Sequence, residues 1–288
     1  VKAMLQGHFF GERLVRGSRA PLGEGASLSM ATTDFLLNNP FHPRELAVAL
    51  TRAPVLHPTT SQQKFRHRFQ QGEHDLLDIG SPSAGCAAIR RMCPLLLPHC
   101  AGGEGEYPFL EAALATVMTH RDNLALTASL GYLALLWKLL QQCLLPARDF
   151  FCQTFVDSIR GLEVGDPYAC QSRYGPFKGW QGTLAHFLPM ALGCARANNW
   201  SAQEAMGRWG SGPYLLEVIP SLLYVLELHA HEPGRAFEVA TAESSEADTL
   251  GMLVGAALGA MHGPQPGWFL DDKVEALLDR AEKRWGGL

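Results

Sequence analysis

Two short groups of oxygen-bearing residues, one near each end of the chain, have the types and spacing to bind a small divalent cation. They are Thr32-Thr33-Asp34 and Glu246-Ala247-Asp248-Thr249. Each group stands where a loop is expected to run into an apolar helix, and their oxygen atoms are the hard ligands that magnesium prefers. By itself each group is more simply interpreted as a helix cap, because Ser, Thr and Asp satisfy the free backbone N–H groups of a helix start.

A Gly- and Ser-rich segment from Gly80 to Cys86 could bind a pyrophosphate group. Glycine lets backbone N–H groups approach a ligand closely, and the start of a following helix favours anions. Ser81, Ser83 and Gly85 are the candidates for this contact. By itself the segment is more simply interpreted as an ordinary turn, because Gly, Pro and Ser are common turn residues.

Helical periodicity dominates the elements that must position these groups. The longest apolar face runs from Asp122 to Leu145, and alternating strand patterns are almost absent. We therefore predict an all-α fold. Further helices are predicted over residues 43–50, 107–118, 148–160, 184–197, 202–209, 214–229, 235–242, 249–261 and 271–285.

Gly- and Pro-rich segments separate these helices and are interpreted as functional loops on the helical body. They lie at residues 17–25, 80–85, 102–105, 161–182 and 263–267. The basic segment 57–72 is interpreted as a mobile loop or a solvated helix face.

Length and composition suit a single domain over residues 1–288. Of the 288 residues, 47% are apolar and 18% are charged, which is enough apolar material for one large core. The net charge of −4 gives no basic field for nucleic acid or an anionic membrane, so neither is expected as a partner. The apolar stretch 124–145 is interrupted by Lys138 and two glutamines, and we interpret it as a core helix rather than a membrane span.

The cysteines indicate a reducing compartment. The seven cysteines include no C-x-x-C pair and no His–Cys spacing typical of zinc. We interpret them as buried free thiols and predict a cytoplasmic location. The chain begins at Val1 and enters apolar sequence at once, so a segment upstream of Val1 is expected.

Three separated patterns, taken in order, resemble the ADP-ribosylglycohydrolase family, whose members remove ADP-ribose from arginine and related side chains. The patterns are Gly80–Cys86 followed by Arg91, Pro94 and Leu95; Thr119-His120 before the long apolar helix; and Glu246-Ala247-Asp248-Thr249 before a Gly- and Ala-rich helix. The resemblance covers nearly the whole chain.

The resemblance implies a compact all-α fold with one or two magnesium or manganese ions in a central cleft. The early group matches the family's Thr-Asp-Asp element at Thr32 and Asp34, and the late group matches its Asp-x-Asp-Thr element at Asp248 and Thr249. Two positions depart, because Thr33 and Glu246 each stand where the family has Asp. The implied metal ligands are Thr32, Thr33, Asp34, Glu246, Asp248 and Thr249.

The two departures weaken the implied metal site unequally. Glu246 keeps its charge but moves the carboxylate by one methylene, which the near-octahedral geometry of magnesium tolerates poorly. Thr33 removes a full negative charge beside a dication. Weaker binding at one of two sites, a single-metal site, or loss of the metal would follow.

In the implied reaction, metal-bound water and ribose hydroxyls held by the metal orient the glycosidic carbon, while a carboxylate moves protons or stabilises oxocarbenium charge. Glu12, Glu24 and Glu217 are the candidate carboxylates. We prefer Glu24, and a structural role is favoured for Glu217. The predicted catalytic residues are therefore Glu24, Asp34 and Asp248.

Two further positions follow from the same resemblance. Cys86 adjoins the pyrophosphate contact made by the Gly80–Cys86 segment, and Tyr214 is expected to stack on the adenine. His120 is interpreted as a residue packed beneath the cleft rather than as a catalyst.

The leading hypothesis is a metal-dependent hydrolase that cleaves the N-glycosidic bond between ADP-ribose and a modified side chain, with arginine as the expected side chain. The alternative is a catalytically degenerate relative that binds ADP-ribose or a protein partner without turnover. An ADP-ribosylated protein, free ADP-ribose and an ADP-ribosylating toxin are the expected partners. A third hypothesis is a purely structural protein on the same scaffold, because fold alone does not set function.

Overall fold

The chain folds almost entirely into helices. The computed structural model describes residues 1–17, 20–73, 75–100, 107–142, 144–165, 167–172, 175–242 and 246–285. The strands described in these ranges are two short antiparallel segments, Tyr168–Ala169 (β1) and Gln181–Gly182 (β2). The all-α prediction is confirmed.

The α-helices of the described ranges follow one another with short connections. They are α1 (Lys2–Arg16), α2 (Glu24–Asn38), α3 (Pro43–Arg52), α4 (Thr60–Gln70), α5 (Leu97–Cys100), α6 (Phe109–Val117), α7 (Asn123–Leu140), α8 (Phe150–Ile159), α9 (Leu184–Ala197), α10 (Ala202–Trp209), α11 (Leu215–His229), α12 (Pro233–Ala240), α13 (Ala247–His262) and α14 (Asp272–Trp285). Short 3₁₀ turns span Ile89–Arg91, Cys93–Leu96 and Gly175–Phe177.

Helices with local start signals lie where they were predicted, and α9 and α10 match at both ends. The hydroxyl of Thr183 accepts a hydrogen bond from the backbone N–H of His186 at the start of α9. At the start of α10, Ser201 and Glu204 each accept from the backbone N–H of the other. Such caps are encoded within four residues, so the sequence alone locates them.

Helices α1 and α2 were not predicted. Residues 17–25 were expected to form a loop, but α2 already begins at Glu24. Glycines in both helices and hydroxyl side chains in α2 lower the intrinsic helix propensity of these segments, so packing against the rest of the protein must stabilise them. The basic segment 57–72 contains α4, in agreement with a solvated helix face. The predicted loop 102–105 lies outside the described residues.

The core is a cluster of buried apolar side chains to which both ends of the chain contribute. Met4 and Phe9 of α1 belong to the same cluster as Leu253 and Val254 of α13. Helix α7 is apolar and long enough to cross a membrane, but 67% of its residues are buried inside the protein. Such burial is typical of a core helix, as the sequence indicated.

The described cysteines carry free thiols. Five of them are buried and Cys194 is half-buried, while Cys143 lies outside the described residues. Burial of small thiols is the usual environment of a cysteine without a disulfide.

Small residues let α1 and α13 run antiparallel with their backbones in contact. Gly7 faces Gly255 and Gly11 faces Gly251, and a Cβ added to either residue of α1 would overlap the facing carbonyl group. The end of α1 therefore lies beside the start of α13, and the Arg16 guanidinium reaches the carboxylate of Asp248 at 3.2 Å.

Glu12 ties the start of α2 to the same helix pair. Its buried carboxylate accepts hydrogen bonds from the backbone N–H groups of Gly23 at 2.9 Å and Ala26 at 3.3 Å. These donors belong to the first turn of α2, where they have no partner within the helix. The first turn of α2 is thereby fixed next to the start of α13.

Candidate functional site

Five charged side chains meet where α1 ends and where α2 and α13 begin. They are Arg16 of α1, Glu24 of α2, Arg90 of the 3₁₀ turn Ile89–Arg91, and Glu246 and Asp248 at the start of α13. We call these five residues the arginine–carboxylate cluster. Two helix N-termini converge here, and their partial positive charge favours carboxylates.

Arg90 lies at the centre of the cluster. Its Nη2 is 2.9 Å from Oε2 of Glu24 and its Nη1 is 3.7 Å from Oδ2 of Asp248, while only 8% of its side chain is exposed. Burial alone would lower the pKa of Arg90, but Cys86, Glu24 and the acidic residues of α13 outweigh it and raise that pKa. The guanidinium is therefore charged at any ordinary pH.

Both carboxylate oxygens of Glu24 are engaged. Oε1 accepts from the backbone N–H of Thr59 at 2.9 Å and from its hydroxyl at 3.0 Å, and Oε2 accepts from Arg90. Glu24 is also the first residue of α2, rather than part of a loop. Its catalytic role stays a prediction, and its contacts tie α4 to the cluster.

The two acidic residues of α13 face different neighbours. Asp248 accepts from Arg16 through Oδ2 at 3.2 Å and from the backbone N–H of Thr249 through Oδ1 at 2.8 Å. Glu246 accepts through Oε2 from the Thr249 hydroxyl at 2.8 Å and from the Cys86 thiol at 3.1 Å. Asp248 is paired with arginine, but 18% of its side chain is still exposed to solvent.

The Cys86 thiol joins the Gly80–Cys86 loop to the cluster. Burial raises the pKa of this thiol to about 12, so it is protonated and donates to Glu246. The predicted ligand loop and the late acidic group, which are far apart in sequence, are therefore in direct contact.

Two backbone bridges fix the ends of the Gly80–Cys86 loop. The backbone N–H of Ser81 donates to the Thr119 carbonyl at 3.0 Å, and that of Cys86 donates to the Pro213 carbonyl at 2.9 Å. Ser81 is buried, whereas Ser83 and Gly85 are half-buried. The N–H groups of Ser81 and Cys86 are already bonded, and that of Gly85 donates to the Ser83 hydroxyl at 3.4 Å. Of the predicted contacts Ser81, Ser83 and Gly85, the Ser83 hydroxyl is therefore the one with a proton left to donate to a ligand.

Tyr214 lies beside this loop. It forms an antiparallel β-bridge with Gly85, directly precedes α11 as its N-cap residue and is half-buried. Glu217 stabilises the preceding turn, because its Oε2 accepts from the backbone N–H of Gly212 at 2.7 Å. The structural role favoured for Glu217 agrees with this contact.

The early group Thr32-Thr33-Asp34 is not part of the cluster. It was expected at a loop-to-helix junction, but it lies inside α2, and Asp34 comes ten residues after Glu24, about 15 Å along the helix axis. The hydroxyls of Thr32 and Thr33 donate to carbonyls of their own helix, those of Leu28 and Ser29. Asp34 is exposed and pairs with Arg280 of α14 at 3.0 Å.

A magnesium or manganese ion does not fit the residues of the cluster. The guanidinium of Arg90 lies between Glu24 and Asp248, and a dication beside it would meet a fixed positive charge. Among the residues that the structure describes, no three His, Cys, Asp or Glu side chains are grouped as a metal site. Thr32, Thr33 and Asp34 could not complete such a site from the far part of α2.

Sequence reasoning missed the two arginines of the cluster and the polar residues beneath it. The hydroxyl of Ser29 donates to the Arg90 carbonyl at 3.0 Å, and Nε2 of the fully buried His8 lies 3.0 Å from that hydroxyl. Nδ1 of His8 also lies 3.3 Å from the Met252 carbonyl, so the neutral ring, which has one N–H, donates to only one of these two oxygens. A signal for Arg90 was present, since Arg90-Arg91 interrupts an apolar run and buried charges require partners.

Arg91 is buried next to Arg90 but has only neutral partners. Its Nη2 donates to the Ala115 carbonyl at 2.7 Å and to the Thr119 hydroxyl at 2.5 Å. Nδ1 of His120 lies 2.9 Å from the same hydroxyl, and burial, with Arg91 nearby, lowers the pKa of His120 to about 3. His120 is thus packed beneath the site, as interpreted from the sequence.

A cavity of about 330 Å³ opens beside the cluster and is lined in part by Arg16, Gly23, Glu24 and His57. A larger cavity of about 630 Å³ lies at the other end of the α1–α13 pair, beside Val1, Trp137 and Gly259, and none of the candidate residues lines it. We take the smaller cavity as the one that belongs to the site, because charged groups of the cluster form its wall.

Comparisons with known proteins agree on the family and the fold. The family model described as ADP-ribosylglycohydrolase matches residues 11–282. A solved structure described as "ADP-ribosylglycohydrolase-related protein complex" superimposes with a TM-score of 0.69 over 98% of this chain and 98% of that chain, at 16% sequence identity. At this identity the likeness bears on the fold alone. No curated protein matches the chain by sequence.

Proposed function

The chain belongs to the ADP-ribosylglycohydrolase family, a family of glycosyl hydrolases, and on that premise we propose that it binds an ADP-ribosyl group without metal-assisted turnover. The binding site in this proposal lies between the arginine–carboxylate cluster and the Gly80–Cys86 loop. The bound group would be free ADP-ribose or the ADP-ribosyl group of a modified protein.

The observation that carries the proposal is the contact between Cys86 and Glu246. It joins the loop expected to bind pyrophosphate to the acidic group expected to bind ribose, with the Cys86 thiol 3.1 Å from the carboxylate. Tyr214 adjoins the same loop through its bridge with Gly85. The loop proposed for the pyrophosphate thus contacts both the residue proposed for the adenine and the acidic group proposed for the ribose.

Each part of the ligand has a proposed partner. Tyr214 stacks on the adenine, since an aromatic face accepts any base. The Ser83 hydroxyl, which accepts from the Gly85 N–H, donates its own proton to the pyrophosphate, and Arg16, with 36% of its side chain exposed, adds a positive charge nearby. The partly exposed carboxylate of Asp248 accepts hydrogen bonds from ribose hydroxyls.

The same geometry argues against metal-assisted hydrolysis. Asp34 pairs with Arg280 away from the cluster, and Thr32 and Thr33 use their hydroxyls within α2. Of the carboxylates that remain near one another, Glu24 and Asp248 are already paired with Arg90 or Arg16. Binding of ADP-ribose without turnover does not require Thr32, Thr33 and Asp34 as metal ligands.

Calorimetric titration with ADP-ribose, in the presence of EDTA, tests the proposal. We expect saturable binding that Tyr214→Ala weakens about tenfold and Tyr214→Phe leaves nearly unchanged, because stacking is worth about 1–3 kcal/mol per base. AMP should compete, since it retains the adenine and one phosphate. Absence of ADP-ribose binding to the folded protein would refute the proposal.

A second candidate is the metal-dependent hydrolase itself, acting on ADP-ribosyl-arginine. It is favoured by one observation, the proximity of three carboxylates, Glu24, Glu246 and Asp248, around one guanidinium. Release of ADP-ribose from ADP-ribosyl-arginine with magnesium or manganese, and its loss with EDTA, would support this candidate. The same result would refute binding without turnover.

A further inference from the structure

We infer that the Arg90 guanidinium is a built-in cation of the site, which neutralises Glu24 and Asp248 in place of a divalent metal ion. The inference deepens the proposed function and rests on it in one respect, the placement of the ligand site at this cluster. Arg90 is a positioning residue in this account, since it holds the two carboxylates together and contacts no ligand itself.

The guanidinium of Arg90 bridges two carboxylates from different helices. The two terminal nitrogens of Arg90 point to different carboxylates, Nη2 to Glu24 at 2.9 Å and Nη1 to Asp248 at 3.7 Å. Glu24 lies at the start of α2 and Asp248 at the start of α13, so one guanidinium links two helix N-termini. A metal ion shared by these carboxylates would have to occupy the same space.

The charges of the cluster are already largely balanced by its two arginines. Glu24, Asp248 and Glu246 are the carboxylates around Arg90, and Arg16 adds a second guanidinium on Asp248. Two positive charges thus already face three carboxylates, and a planar guanidinium suits carboxylate pairs because its donors have a fixed fork geometry. A divalent ion added to this group would be repelled by both arginines.

The side chain of Arg90 is packed too closely to move away from the two carboxylates. A Cβ added to Gly25 would lie 3.1 Å from Cδ of Arg90 and 2.7 Å from the sulfur of Met252, so the arginine stem runs between α2 and α13. The Ser29 hydroxyl donates a hydrogen bond to the Arg90 carbonyl, and Nε2 of His8 contacts that hydroxyl in turn. Both the backbone and the stem of this arginine are therefore enclosed.

Arg91 provides an internal comparison. It is equally buried and adjacent in sequence, but its guanidinium donates to the Ala115 carbonyl and the Thr119 hydroxyl and has no carboxylate partner. A buried arginine in this turn therefore need not meet carboxylates. The position of Arg90 between two of them is specific to that residue.

Manganese binding measured by electron paramagnetic resonance, together with thermal unfolding, tests the inference without requiring ADP-ribose. The unmodified protein is expected to bind no manganese at this cluster at millimolar concentration. In Arg90→Gln, the uncompensated carboxylates should admit the ion and raise the melting temperature by about 5 °C at about 5 mM manganese, for a dissociation constant near 0.1 mM. The rise should disappear in the double variant Arg90→Gln/Asp248→Asn.

Arg91→Gln is the matched control, because it removes a buried guanidinium without freeing a carboxylate. Its melting temperature should fall and should not respond to manganese. Manganese binding by the unmodified protein that Asp248→Asn abolishes would overturn the inference, as would an Arg90→Gln protein that ignores manganese. If Arg90→Gln does not fold, Arg90→Met replaces it, since methionine keeps an apolar stem of similar length and removes the charge, and the same manganese response is expected.

The two proposals fail in distinguishable ways. A protein that binds no ADP-ribose, but gains manganese binding in Arg90→Gln, refutes the proposed function and supports the role of Arg90. A protein that binds ADP-ribose only when manganese occupies the cluster supports an ADP-ribosyl site and overturns the role of Arg90.

Discussion

Gly11 of α1 faces Gly251 of α13 with no side chain between the two backbones. The same relationship recurs one turn further on, where Gly7 faces Gly255. This close contact sets the distance between the end of α1 and the start of α13, and with it the pairing of Arg16 with Asp248. The cluster therefore depends on residues that carry no functional group.

Substituting Gly11 by Ala should separate the two helices. The added methyl would overlap the Gly251 carbonyl group, so we expect a destabilisation of about 1–3 kcal/mol and weaker ADP-ribose binding, because Arg16 and Asp248 move apart. Gly207→Ala in α10 is the control. No atom lies near its added methyl, and a helix-interior Gly to Ala change should stabilise by about 0.5–1 kcal/mol. Urea unfolding of both variants measures the change in the free energy of unfolding, and equal changes in the two variants would contradict this prediction.

Acid should destabilise the protein below neutral pH through two buried histidines. Burial lowers the pKa of His8 to about 4 and that of His120 to about 3. The unfolded chain takes up these protons near pH 6.5, whereas the folded protein does not. The full stability is therefore present above about pH 6.5 and is lost as the pH falls towards 4, by roughly 2 kcal/mol per histidine at pH 5.

Unfolding free energies measured between pH 7 and pH 5 check this expectation. His8→Gln keeps a donor for the Ser29 hydroxyl but does not titrate, so its stability should fall less steeply with acid than that of the unmodified protein. Parallel curves for the two proteins would show that His8 is not responsible.

Removing the Glu12 carboxylate should loosen the start of α2. In Glu12→Ala the backbone N–H groups of Gly23 and Ala26 lose their acceptor in a buried place, which should cost about 2–4 kcal/mol. Hydrogen exchange of the first turn of α2 should accelerate in this variant. Glu204→Ala, which removes an exposed member of the capping box of α10, is the control, and it should destabilise the protein less than Glu12→Ala does and leave α2 unaffected.

Asp34→Asn should have little effect. The Asp34–Arg280 pair is exposed, and such pairs contribute about 0–1 kcal/mol. ADP-ribose affinity should also be unchanged, whereas Asp248→Asn should reduce it at least severalfold. If Asp34→Asn instead abolished binding or hydrolysis while the protein stayed folded, the early acidic group would belong to the site after all.

The late acidic group could be located from sequence because Glu246 and Asp248 stand at the start of a long apolar helix, and a helix start is a local signal. The early group could not be located in this way. Thr32-Thr33-Asp34 resembles a helix cap, but α2 begins one residue after Gly23 because Glu12, distant in sequence, supplies the acceptor for its first turn. Long-range contacts of this kind leave no trace in a short window of sequence.

The role of Arg90 was hidden for a related reason. Arg90 and Arg91 are adjacent and equally buried, and only the folded structure shows that one meets carboxylates and the other meets neutral oxygens. Catalysis by Glu24, the cofactor, the partner protein and the cellular location stay predictions.

The glycine-lined contact between α1 and α13 also bears on the order in which the protein is made. Helix α1 is synthesised before α13, which emerges only after residues 17–246 have been added. Until then the apolar side of α1, with Met4, Leu5 and Phe9, lacks its main covering helix. Nascent chains that stop short of α13 should therefore attract chaperones, and the arginine–carboxylate cluster can be assembled only after α13 has been synthesised.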